Sequence, residues 1–251
     1  MDSYLIIGTP GSGRRAALCD LIARGLYGDA RAAVMLSSTE QESPFDAALG
    51  RLAKVERFGG VDAAGIARAL AEEADVLFFM ADSSRDLADE IEAFKGLCDA
   101  GILRLVRIFG FVDCRLFSEA FDECAPFFDA VSHFSDCLIL SNRSGVPGGE
   151  VAKIRRRYAE MCHPHEVQME MKNGELENPA LLMVDETRRI SMAFDDYDPV
   201  DEIELDEDTL PEEPFTIERK ADPYLERLEG GMRAKKIPNG GALAAKRRDA
   251  R

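Results

Sequence analysis

The stretch Gly8-Thr9-Pro10-Gly11-Ser12-Gly13-Arg14-Arg15 has the glycines and spacing of the phosphate-binding template G-x-x-x-x-G-K-[ST], with arginine at both final positions. In such a loop glycine lets successive main-chain N–H groups turn toward one anion, and the helix that follows adds its positive end. Gly8, Gly11, Ser12, Gly13, Arg14 and Arg15 are therefore the candidate nucleotide-binding residues. Arg14 replaces a compact ammonium by a longer planar guanidinium, which suits phosphate oxygens but reaches them by another path. Arg15 removes the hydroxyl that would ligate magnesium and puts a cation in its place, so Mg2+ is disfavoured. Two roles for Arg15 stay open: it supplies the missing metal charge, or it turns to solvent beside a vestigial site.

Other residues carry weaker chemistry. In "LFFMADSSRD", Asp82 is the nearby carboxylate that could hold a metal ion or a water in a catalytic role, with Asp113 as the alternative ligand. An Asp before serines is also an ordinary helix N-cap, the reading preferred here. Asn142 follows the apolar run "DCLILS" and suits either a contact to a nucleotide base or a turn. "MCHPHE" gathers Cys162, His163 and His165, but neighbours split by a proline seldom converge on one centre, so no metal site is expected. Arg155, Arg156 and Arg157 occupy successive helical positions and fan over a solvated surface.

These residues need elements to position them. Continuous apolar runs at 3–8, 32–38, 75–81, 105–113, 136–142 and 165–171 suit strands buried on both faces. Helical stretches fall at 13–27, about 62–72, 84–99 and 148–162 between them, the last with Val151, Ile154, Tyr158 and Met161 on one face. The alternation predicts an α/β domain with a doubly wound, mainly parallel sheet over residues 1–171, then a short packed extension at 172–194. Residues 195–213 hold eleven acids and no base, and 233–251 carry seven Lys/Arg against Asp249. We expect 195–251 to form an acidic and then basic, largely disordered extension, available to a protein partner.

A net charge of −16 argues against general affinity for nucleic acid, and no run is long enough to span a bilayer. Six scattered cysteines without a C-x-x-C pair suggest reduced thiols rather than a disulfide framework or zinc ribbon, and a cytoplasmic protein is expected.

"IIGTPGSGRR", "LVRIFGFVDCRLF" and "SDCLILSNRSGVPGGEVAKIRRRYAEMCHPHEV" together resemble, in order and spacing, the CobW-type P-loop GTPases, metallochaperone-like relatives of the UreG and HypB nickel-insertion GTPases. The resemblance covers about residues 3–171 and implies a P-loop NTPase-like fold that binds GTP or another nucleotide. It also implies where function departs. Gly145 stands where the family's guanine-reading Asp would be, in Asn142-Arg143-Ser144-Gly145, which removes a carboxylate bond worth about 1.5–3 kcal/mol and undermines guanine specificity. The segment around Gly60 lacks the family's metal-relay cysteines, and Met80 and Ser83 stand nearest the Glu and Gly that end its third strand. The expectation is a degenerate nucleotide-binding protein, a binding or regulatory module with weak or absent hydrolysis. The alternative is a divergent GTPase or ATPase that uses Arg14 and Arg15 directly on phosphate.

Overall fold

The continuous apolar runs become parallel strands because helices cover both of their faces. In the computed structural model, which describes residues 1–59, 63–171, 174–195 and 221–249, these strands are β1 (Asp2–Gly8), β2 (Ala32–Ser37), β3 (Ala53–Phe58), β4 (Val76–Met80), β5 (Arg104–Asp113), β6 (Cys137–Ser141) and β7 (Glu166–Met169). They form one seven-stranded sheet in the order β3-β2-β4-β1-β5-β6-β7 with every pair parallel. Along β1, Leu5 and Ile7 enter one core layer while Tyr4 and Ile6 enter the other. Tyr4 stacks between the rings of Phe78 and Phe109 at 5.2 and 5.9 Å. All six predicted strand runs are present, within a residue or two at their ends.

Nine helices are described: α1 (Arg14–Asp20), prolonged by a π-helical turn at Leu21–Gly25, α2 (Asp46–Leu52), α3 (Ala63–Ala71), α4 (Leu87–Asp99), α5 (Cys114–Glu119), α6 (Phe121–Phe134), α7 (Gly148–Glu160), α8 (Pro179–Leu182) and α9 (Gly240–Asp249). In α7 the expected face is buried through Val151, Ile154 and Tyr158. Strand β3 and helices α2, α5, α6 and α9 have no counterpart in the sequence reading, and α8 falls within the short packed extension expected at 172–194. Strand β3 is a sheet-edge strand whose Lys54, Glu56 and Arg57 hide it from an apolar-run criterion. Helix α6 contains Pro126 and is apolar on most sides, so it offers no clean helical periodicity. Gly110 admits α6 to the sheet, since a Cβ there would lie 2.0 Å from Ser135 Oγ and 2.7 Å from Val131 Cγ1.

The C-terminal region differs from the expected disordered extension. Residues 221–249 lie on the domain, with Tyr224, Ile237 and Leu243 buried in its core. Arg233, 8% exposed, pairs with Asp89 and Glu92 of α4 at 2.6 Å each, and Gly240 sits so close to the Phe127 ring that a Cβ would be 2.7 Å from it. A few apolar anchors and one buried cation hold the segment, although its average composition is polar. Residues 196–220, with most of the acidic block, and Gly60 lie outside the described residues. Among the described residues no helix is long and apolar enough to cross a membrane.

Candidate functional site

The carboxyl ends of β1, β4, β5 and β6 meet on one edge of the sheet, and β1 lies between β4 and β5. The chain winds from β1 toward β2 on one side and crosses from β4 to β5 on the other. Such a reversal leaves a crevice beyond the strand ends where ligands bind in α/β folds. A cleft of about 930 Å³ occupies this position, lined among others by Gly11, Gly13, Arg14, Arg15, Glu40 and Asn142.

The loop at the end of β1 adopts a conformation that its glycines require. Gly8 has φ 148°, and a Cβ there would come within 2.9 Å of Phe111 Cβ and 3.1 Å of its carbonyl oxygen, so β1 and β5 close together only around glycine. Gly11 and Gly13 have φ 74° and 80°, a region costly for other residues. Ser12 turns inward, its Oγ donating to the Thr9 carbonyl at 2.8 Å, which closes the turn and leaves the loop's outer side to main chain. Gly13 begins α1 in the left-handed region without a side-chain cap, so no side chain competes for the first-turn N–H groups.

Neither arginine turns to solvent, which overturns that reading of Arg15. Arg14 is 3% exposed; its Nη1 donates to the Ala81 carbonyl at 3.0 Å, and its Nη2 donates to Glu40 Oε1 at 2.5 Å and Ser83 Oγ at 3.2 Å. Arg15 is 7% exposed; its Nη1 donates to Asp46 Oδ1 at 2.8 Å and Oδ2 at 3.1 Å, and its Nη2 to Glu40 Oε2 at 3.4 Å. Glu40 therefore places one carboxylate oxygen on each guanidinium. Its role escaped the sequence reading, because Glu40 lies in an unremarkable polar loop after β2 and meets the arginines only through the fold.

Asp82 stands just past β4 with each oxygen accepting two hydrogen bonds: Oδ2 from Ser37 Oγ at 2.7 Å and Thr39 Oγ1 at 2.8 Å, and Oδ1 from Ser84 N at 2.8 Å and Ser84 Oγ at 2.6 Å. Burial pushes this carboxyl up, but the bonds from Ser84, Ser37 and Thr39 outweigh it and hold it below the usual carboxylate range. Asp82 organises the 82–85 turn and does not cap α4; the cap is Asp86, which accepts from Ala88 N at 2.8 Å.

Asn142 has φ 51°, tolerable for Asn, and its Nδ2 donates to the Gly11 carbonyl at 2.8 Å and to Asp113 Oδ2 at 2.7 Å. It thus ties the glycine loop to the end of β5. Asp113 also caps α5 by accepting from Arg115 N and Leu116 N. Glu170, just beyond β7, accepts from Asn142 N at 2.5 Å, and burial pushes its carboxyl up against the pull of that bond. Around the cleft carboxylates outnumber guanidinium groups.

The other cluster weighed from the sequence does not converge. His163 Nδ1 and Ser132 Oγ share a hydrogen bond at 2.8 Å, His165 is buried beside Tyr158, and Cys162 is exposed. Among the described residues no group of three or more His, Cys, Asp or Glu is arranged to hold a metal ion.

No protein-family model and no curated protein sequence matches the chain. Among solved structures it is similar to the Zn(II)-bound YjiA GTPase from E. coli, at 16% identity over 74% of this chain and 65% of that one, with a TM-score of 0.51. A triple mutant of the Zn(II)-bound YjiA GTPase matches at 17% identity over 78% and 68% of the two chains, also with a TM-score of 0.51. The chain thus spans about two thirds of the length of YjiA. At such identities the likeness speaks for architecture, and together with the all-parallel sheet and the glycine loop at the end of β1 it establishes an α/β fold of the P-loop NTPase type.

Proposed function

We propose that this chain binds the phosphate portion of GTP or another nucleotide at residues 8–15, hydrolyses it weakly or not at all, and acts as a binding or regulatory module. The carrying observation is the loop itself: left-handed glycines at the crevice of the sheet, leading into a helix start that no side chain caps. Main-chain N–H groups of Gly11, Gly13, Arg14 and Arg15 would hold phosphate, and Asn142 would keep the loop in place. The solved relative is described as a GTPase, and the order of motifs resembles the CobW type; both support the reading.

The surroundings do not suit magnesium. The template's hydroxyl is replaced by Arg15, whose guanidinium engages Asp46 and Glu40, and the oxygens of Asp82 are filled by Ser37, Thr39 and Ser84. A divalent cation there would meet like charge and find no free hard oxygen at Asp82. Without that ion an in-line attack on the terminal phosphate loses its main charge stabilisation, which supports a non-hydrolysing role. The charged C-terminal region, laid along α4 and α6, is the surface we assign to a protein partner.

Thermal unfolding with GTP, GDP, ATP or ADP, each with magnesium or with a chelator, tests the reading. A ligand at 100 times its Kd stabilises the native state by about 2.7 kcal/mol. The expected result is a rise in Tm that the chelator leaves intact. No rise with any nucleotide at millimolar concentration would overturn it.

A further inference from the structure

We propose that Glu40 is an internal occupant of the phosphate place: its carboxylate bridges Arg14 and Arg15, and a phosphate-bearing ligand reaches those guanidinium groups only by displacing it. The inference rests on the phosphate-binding reading of the loop and specifies how that site is regulated.

The geometry is that of an ion held by its counter-charges. Side-chain exposure is 3% for Arg14, 7% for Arg15 and 9% for Glu40, and the carboxylate puts Oε1 on Arg14 at 2.5 Å and Oε2 on Arg15 at 3.4 Å. Ser83 Oγ adds a third donor to Oε1 at 3.1 Å. Two guanidinium groups and a hydroxyl around one pair of oxygens form a donor set that accepts carboxylate and phosphate alike. Buried cations demand an anion, and here the chain supplies its own.

The motion required of Glu40 is confined to its side chain. Between the end of β2 at Ser37 and the start of α2 at Asp46 the chain has no helix or strand, and Glu40 lines the same cleft as Gly11 and Gly13. Arg57 Nη1 donates to the Glu40 carbonyl at 3.0 Å, and Thr39 is tied to Asp82, so the main chain on either side of Glu40 keeps anchors when the side chain swings out. A ligand that binds only the displaced arrangement has its apparent affinity reduced by the fraction of molecules in that arrangement. With Glu40 seated in about 90–99% of molecules, the reduction is about 10- to 100-fold.

Glu40→Gln keeps the side chain's size and removes its charge. Titration calorimetry of the full chain with GDP and with GTP, in chelator, is expected to show binding at least about ten-fold tighter in E40Q than in the unmodified protein. Equal or weaker binding by E40Q, with the unmodified protein binding well, would overturn the role of Glu40 and leave nucleotide binding standing. No binding by either protein at millimolar nucleotide would overturn both. If E40Q does not fold, Glu40→Asp retains the charge on a side chain one methylene shorter, which cannot span both arginines. A gain in affinity over the unmodified protein is expected there, and no gain would overturn the proposal.

Discussion

His165 shows how one buried side chain sets a pH dependence. The imidazole is 7% exposed, its Nδ1 has no hydrogen-bond partner, and the Tyr158 and His163 rings lie 6.2 and 5.5 Å away. Burial, with a smaller contribution from the charge of His163, pushes its pKa down from 6.5 to about 4. Between those values the unfolded chain takes up a proton that the folded chain refuses, so stability contributed by the neutral ring is full above pH 6.5 and falls as pH drops toward 4. The loss is about 3 kcal/mol. Urea midpoints for the unmodified protein and His165→Phe across this range should diverge, with the variant losing less on acidification; parallel curves would refute the assignment. Arg14 and Arg15 make a different point at the same scale. Their identity and their place after the glycines were plain in the sequence, whereas their partners Glu40 and Asp46 lie 25 to 31 residues away along the chain and were not.

Elements with one dominant signal were legible, and those built on compromise were not. Strands β1, β2, β4, β5 and β6 are buried on both faces and read as uninterrupted apolar runs. Strand β3 pairs on one side alone and keeps polar residues, while α6 hides its helical character behind Pro126 and a nearly all-round apolar surface. The contact between α6 and β5 depends on Gly110, the residue that lets the Val131–Ser135 end of the helix approach the strand. Gly110→Ala should therefore overpack the interface and cost about 1–3 kcal/mol. Equilibrium urea denaturation would measure this, and an unchanged midpoint would show that the helix end yields without cost.

At the scale of the whole molecule, the region after β7 completes the domain. Arg107, fully buried in the sheet, donates to the Leu182 carbonyl at 2.8 Å and pairs with Glu166, and Arg189 meets the buried Asp136 at 3.1 Å. Farther on, Tyr224, Ile237 and Leu243 fill the core, and Gly241 N donates to the Ser83 carbonyl at 2.7 Å beside the cleft. Ending the chain at Asp195 removes those three side chains, each worth about 1.5–3 kcal/mol when fully buried. The shortened protein should unfold at markedly lower urea concentration, and an unaltered midpoint would mean that the C-terminal segment contributes nothing to the core.

By itself the sequence determined the α/β class, most of the parallel strands and the glycine loop at the first turn, because these rest on local regularities: apolar runs, glycine spacing and helical faces within about twenty residues. Tertiary structure alone decided what the two arginines do. Their charges are buried, a buried charge must find an opposite one nearby, and which carboxylate comes near depends on how the loop after β2 folds across the carboxyl edge of the sheet.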